Sequence, residues 1–104
     1  TSSRTTFIGT LQYMAPEIIK RSERYDEKVD VYSFGVVYYF VMSHGELPEQ
    51  NIVEVGIGKQ PTLPTTFTET SSKMIKKCMS FDSKDRPTFN EIYEELTINK
   101  EKLI

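Results

Sequence analysis

At 104 residues the sequence is long enough for one domain and can bury a real core, with little margin. Hydrophobic residues at 38% against 27% charged exclude a disordered chain, and a formal net charge of −2 with both signs interspersed argues against a nucleic-acid or anionic-membrane surface. One cysteine, Cys78, rules out an internal disulfide framework and is ordinary in a reducing compartment.

Residues 1–10 carry six hydroxyls and no apolar period, and read as an exposed loop rich in possible phosphate acceptors. The plainer alternative is a polar, mobile end. This is an odd way to open a compact domain, so we expect the chain to begin in the middle of something larger. Pro16 fits the first position of a short helix, where its missing N–H costs nothing, with Ile18 and Ile19 as anchors. Residues 22–28 form a charged connector, with Tyr25 and Val29 tucked in.

Residues 30–43 run from Asp30 with no further charge until Glu46. A helix apolar all round must be surrounded by protein or lipid. A membrane span needs about 20 apolar residues, so the run predicts a central helix buried in protein. Asp30 suits its N-terminal end as a carboxylate that accepts free N–H groups, and Gly45 suits the left-handed residue that stops it. Gly35, mid-helix, implies close approach by a neighbouring element. His44, the only histidine, sits at a helix end as a cap rather than a base.

Beyond Pro48, residues 51–55 predict a short helix and 56–64 a plain loop. Gly56 and Gly58 fail the phosphate-loop pattern, because Pro61 stands at its third glycine and no strand precedes it. Residues 68–79 predict an amphipathic helix, with Met74, Ile75, Cys78 and Met79 inward and Lys73, Lys76 and Lys77 outward. Thr88 and Glu91 form a capping-box pattern, after which Phe89, Ile92, Tyr93 and Leu96 share one face of a last helix. Residues 99–104 predict a frayed tail.

Four stretches carry a family resemblance. Residues 9–17, Gly-Thr-Leu-Gln-Tyr-Met-Ala-Pro-Glu, resemble the end of a protein-kinase activation segment, with its Ala-Pro-Glu signature at Ala15, Pro16 and Glu17. Residues 30–36, Asp-Val-Tyr-Ser-Phe-Gly-Val, are similar to the opening of the family's central helix, with Tyr32 where Trp or Tyr is usual. Residues 45–48 resemble the turn after that helix, and residues 85–89 the loop before the last one. The matches fall in order and cover essentially the whole chain. Met79 departs from the pattern, since the family usually has Trp there; that concerns packing, not chemistry.

The resemblance implies a mainly α chain: the second part of the helical C-terminal lobe of a two-lobed α+β kinase fold, over residues 1–98, with 99–104 as tail. It implies that Glu17 pairs with Arg86 and staples the substrate-side segment to the helical core. It implies that Asp30 serves as scaffold through a bond to the catalytic loop, that Thr10 helps to seat the substrate, and that an earlier helix covers the central one, so that this chain by itself leaves apolar surface open beside Tyr38 and Val41. The Gly9-Thr10 with Tyr13-Met14 form looks Ser/Thr-specific, and residues 33–36 resemble the tyrosine-kinase-like group. Thr5 and Thr6 sit where many kinases are phosphorylated for activation. The family's glycine-rich loop, lysine, catalytic aspartate and metal-binding aspartate have no counterpart here. We therefore expect no catalytic residue, cofactor or metal ligand in this chain, with ATP and Mg implied for the complete domain. The implied partners are the upstream half of the domain and a protein substrate, with no nucleic acid and no membrane, in the cytoplasm. The alternative is a non-catalytic free-standing binding module or a truncated kinase remnant.

Overall fold

A computed structural model describes residues 14–19, 26–49 and 52–104. Within them the chain is all helix and loop: α1 (Pro16–Ile19), α2 (Lys28–Met42), α3 (Ile52–Gly56), α4 (Glu69–Cys78) and α5 (Phe89–Ile98), with 3-10 turns at Ser83–Asp85 and Lys100–Lys102. No strand occurs among the described residues.

Helix α2 makes the most extensive helix–helix contact, with α4, while α1 packs chiefly on α3. Gly35 makes the crossing possible. A Cβ built there would lie 2.8 Å from Met79 Cγ and 2.9 Å from Cys78 Cβ. The close approach that a mid-helix glycine implies is therefore made by α4. One core cluster joins Ala15, Tyr32, Val36, Tyr39, Phe67, Ile75 and Met79; the other joins Val31, Met74, Cys78 and Ile92.

Helix α2 is not buried all round in this chain, and its open apolar surface includes Val41, as the resemblance implies. Val31, Tyr32, Gly35, Val36 and Tyr39 are buried, whereas Val37, Phe40 and Val41 are exposed, Val41 at 64%. The described segments pack on one side of this helix only. Asp30 stands at its N-terminal end as expected, but it is not the carboxylate that accepts a free N–H there. Asp30 lies in the first turn with an exposed side chain, and Asp26 Oδ1 accepts from the Lys28 N–H instead, because the helix begins two residues earlier. At the other end the first left-handed residue is His44 (φ 61), not Gly45, which follows at φ 106. The Gly45 and His44 N–H groups donate to the Phe40 and Val41 carbonyls, a two-bond C-terminal motif.

Helix α4 is capped by Thr68, whose hydroxyl accepts from the Ser71 N–H, and its inward face follows the apolar pattern. Helix α5 starts in the complete capping box of Thr88 and Glu91. Its apolar face is thinner than its spacing implies: Ile92 is buried and Leu96 partly so, but Phe89 and Tyr93 are exposed. The tail is not frayed. Residues 100–102 turn, and the Leu103 carbonyl accepts from Ser71 Oγ at 2.7 Å and Thr68 Oγ1 at 3.2 Å. Ser71 spends its one proton there, so Tyr38 donates to Ser71 at 2.7 Å. This chain of hydroxyls ties α2, α4 and the tail together.

Candidate functional site: an arginine fork under helix α1

The polar centre of the described structure is Arg86. Three local features place it. Asp82 accepts from the Lys84 N–H and turns the chain into Ser83–Asp85. Pro87 then holds the preceding residue extended, and Arg86 sits at φ −80, ψ 140. Thr88 starts α5 immediately afterwards. The side chain is thereby sent inward, where it is fully buried.

A buried guanidinium must satisfy five N–H donors. Here all five are used. Nη1 donates to Glu17 Oε2 at 2.7 Å and to the Lys28 carbonyl at 3.0 Å. Nη2 donates to Glu17 Oε1 at 2.8 Å and to the Phe81 carbonyl at 3.2 Å. Nε donates to the Ser80 carbonyl at 2.8 Å. The Arg86 carbonyl in turn accepts from Lys28 Nζ at 2.6 Å. The guanidinium carbon also lies 5.1 Å from the centre of the Tyr32 ring, within cation–π range. One side chain therefore fastens α1, the first turn of α2 and the turn after α4.

Glu17 meets Arg86 with both oxygens, a planar two-bond fork that Lys cannot reproduce. Its neighbours fix the short helix around it. Ala15 is buried in the larger core cluster, and Pro16 takes the first helical position. Burial pushes the Tyr32 hydroxyl up to about 12, with Arg86 opposing and Glu17 adding to the rise. Burial likewise pushes the Cys78 thiol up to about 12, against Arg86 and Lys77. Neither group is a nucleophile at neutral pH. The arrangement moves no proton; it holds segments in place.

The structure thus brings Glu17 and Arg86 together. Asp30 is exposed and makes no side-chain hydrogen bond among the described residues. Thr5, Thr6 and Thr10 lie outside the described residues. Lys28 and Tyr32, which complete the surroundings of Arg86, were not singled out for it by the sequence, since no periodicity links them to a residue beyond α4. Among the described residues no three His, Cys, Asp or Glu side chains gather to hold a metal ion. No helix among them is long and apolar enough to cross a membrane.

Comparison with known proteins gives this geometry its context. The model of the protein kinase domain matches residues 1–97. The chain belongs to the protein kinase domain family. Its mainly helical structure agrees with the helical lobe of that fold. Among its relatives is a probable serine/threonine-protein kinase of Dictyostelium discoideum, 39% identical over 97 residues, covering 93% of this chain and 9% of the relative. A probable LIM domain-containing serine/threonine-protein kinase of the same organism is 39% identical over 105 residues, covering 95% and 16%. The mitogen-activated protein kinase kinase kinase dlk-1 of Caenorhabditis briggsae is 37% identical over 109 residues, covering 98% and 12%. The kinase segment therefore spans a small fraction of the length of these relatives.

Proposed function

We propose that this chain is the substrate-side and scaffold portion of the C-terminal lobe of a Ser/Thr protein kinase domain of the tyrosine-kinase-like group. In phosphoryl transfer the protein's work is positioning and electrostatic stabilisation. The observation that carries the reading is the Arg86 fork, with all five donors used and two of them on Glu17 of the Ala-Pro-Glu segment. It fixes the end of that segment on the helical core. Thr10, upstream on the same segment, then has the role of seating the protein hydroxyl that receives phosphate, and Thr5 and Thr6 are the sites whose phosphorylation orders the segment. ATP supplies the phosphoryl group and Mg²⁺ neutralises its charge; the described residues offer no cluster fitted to that metal, and no step through it is assigned to them.

The exposed Val37, Phe40 and Val41 face of α2 supports a second part of the reading, that an upstream half of the domain covers this helix and carries the ATP site. Asp30, exposed on α2, is the scaffold contact to that half. The test uses a polypeptide that carries this chain and its upstream half. Transfer of phosphate from ATP to a protein substrate is measured for the wild type, Glu17→Gln and Arg86→Lys. The reading expects activity in the wild type and a loss of at least about tenfold in both variants, since misplacing a positioned segment by an ångström can cost about 100-fold. Unchanged rates in both variants, with the folds intact by circular dichroism, would overturn it. A cooperative melt of the isolated chain without hydrophobic-dye binding would favour the free-standing module instead.

A further inference from the structure

Lys28 opens α2, and nothing in the helix itself calls for a lysine there. A cation in the first turn meets the positive end of the helix dipole and weakens the helix. Glu27, just before it, makes no side-chain cap bond, and Asp26 Oδ1 accepts from the Lys28 N–H at 2.9 Å. The compensation lies outside the helix. Lys28 Nζ donates to the Arg86 carbonyl at 2.6 Å, across 58 positions, and the contact is partly buried.

Lys28 grips Arg86 at both ends. Its side chain holds the Arg86 main chain, and its own carbonyl accepts from Arg86 Nη1 at 3.0 Å. The same Nη1 donates to Glu17 Oε2 at 2.7 Å. Within its own turn the Arg86 N–H donates to the Ser83 carbonyl at 3.2 Å, so Lys28 fixes the carbonyl side from a different element. A planar fork meets both oxygens of a carboxylate in register when the backbone it hangs from is held. Two cations therefore gather here, with Glu17 of α1 against Arg86 and Glu91 of α5 near Lys28. The Thr88 N–H and hydroxyl, and more weakly the Lys28 charge, hold the Glu91 carboxyl below its usual range.

We propose that Lys28 is a positioning residue for the Ala-Pro-Glu segment: its ammonium fixes the Arg86 main chain so that the fork meets both oxygens of Glu17. A role confined to α2 would have the opposite sign. Lys28→Met keeps a long stem and a similar helix propensity, and it takes a cation away from the helix N-terminus. Acting on α2 alone it should tighten the structure; acting through Arg86 it should loosen α1. The kinetic consequence rests on the kinase reading proposed above, whereas the structural one does not.

The test uses the polypeptide that carries this chain and its upstream half, as wild type and as Lys28→Met. Amide hydrogen exchange is followed by mass spectrometry over residues 14–19 and over α4. We expect exchange over 14–19 to speed up about fivefold, the loss of one hydrogen bond of ordinary net strength, with α4 unchanged. In phosphoryl transfer the KM for protein substrate should rise by a similar factor while the KM for ATP stays where it was. Unchanged exchange over 14–19, an equal rise over α4, or KM values for protein and ATP that move together would each overturn the proposal. A wild type that transfers no phosphate would overturn the kinase reading instead, and the exchange comparison would still decide the role of Lys28.

Discussion

Replacing Arg86 by Met keeps much of the aliphatic stem and removes the fork. The change takes a donor from each of three backbone carbonyls, of Ser80, Phe81 and Lys28, and leaves Glu17 without its cation. Glu17 keeps 15% of its side-chain surface exposed and can recover part of its hydration; the carbonyls beneath the fully buried Arg86 side chain have less opportunity to do so. Breaking a buried pair from one side costs about 3–5 kcal/mol, against a total stability of roughly 5–15 kcal/mol for a domain. At roughly 2–4 °C per kcal/mol for a domain of about 150–250 residues, the melting point should fall by more than about 6 °C. The assay is urea unfolding, followed by circular dichroism, of the polypeptide that carries this chain with its upstream half, for the wild type, Arg86→Met, Glu17→Gln and the double variant. Because the two side chains share one fork, the double variant should lose less than the sum of the singles, with a coupling on the order of 2 kcal/mol. The pair is shielded from solvent, so this coupling should change little with salt. An Arg86→Met variant within about 1 kcal/mol of the wild type, or additivity within about 0.5 kcal/mol, would refute the reasoning.

Three further outcomes follow from the packing. Gly35→Ala should destabilise the chain, the reverse of its sign on an open helix, because Cys78 Cβ at 2.9 Å is fixed to the α4 backbone. Overpacking costs about 1–3 kcal/mol and helix propensity returns about 1, and thermal melting would show a rise instead if the crossing were loose. His44→Gly should stabilise by up to about 1 kcal/mol, since it relieves a left-handed residue at φ 61 while loosening the unfolded chain; a lower melting point would contradict this. Cys78 should resist thiol reagents until the chain unfolds, and stability should drop in alkali. Its folded thiol holds its proton to about 12 against an ordinary 9.0, and Tyr32 to about 12 against 10.0. The stabilisation is whole below pH 9 and is lost as pH rises through this window, because the unfolded state sheds those protons first. A flat stability profile from pH 9 to 11, the lower part of that window, would count against the burial of both groups.

Local patterns carried much of the fold. The Thr88–Glu91 box and the inward face of α4 depend on residues three or four apart, and such patterns are visible in the chain itself. The features that escaped depend on distant partners. The docking of the tail rests on Ser71 and Thr68, more than thirty residues before Leu103, and no periodicity links them. The run from Val31 to Val41 reports apolarity on all sides but not which side has a neighbour; that apolar surface lies open at Val41 came from the resemblance, in which an earlier helix covers this one. Phe89 and Tyr93 have helical spacing, yet no described element reaches over them to exclude water. Of the candidate site, the meeting of Glu17 and Arg86 across 69 positions came from family resemblance alone.

The most direct test of the central claim is phosphoamino-acid analysis of a protein substrate incubated with labelled ATP and the polypeptide that carries this chain with its upstream half. The account predicts label on serine and threonine, and its loss when Thr10 is replaced by valine. Label on tyrosine alone, or no transfer from a folded polypeptide with every upstream catalytic motif in place, would contradict it.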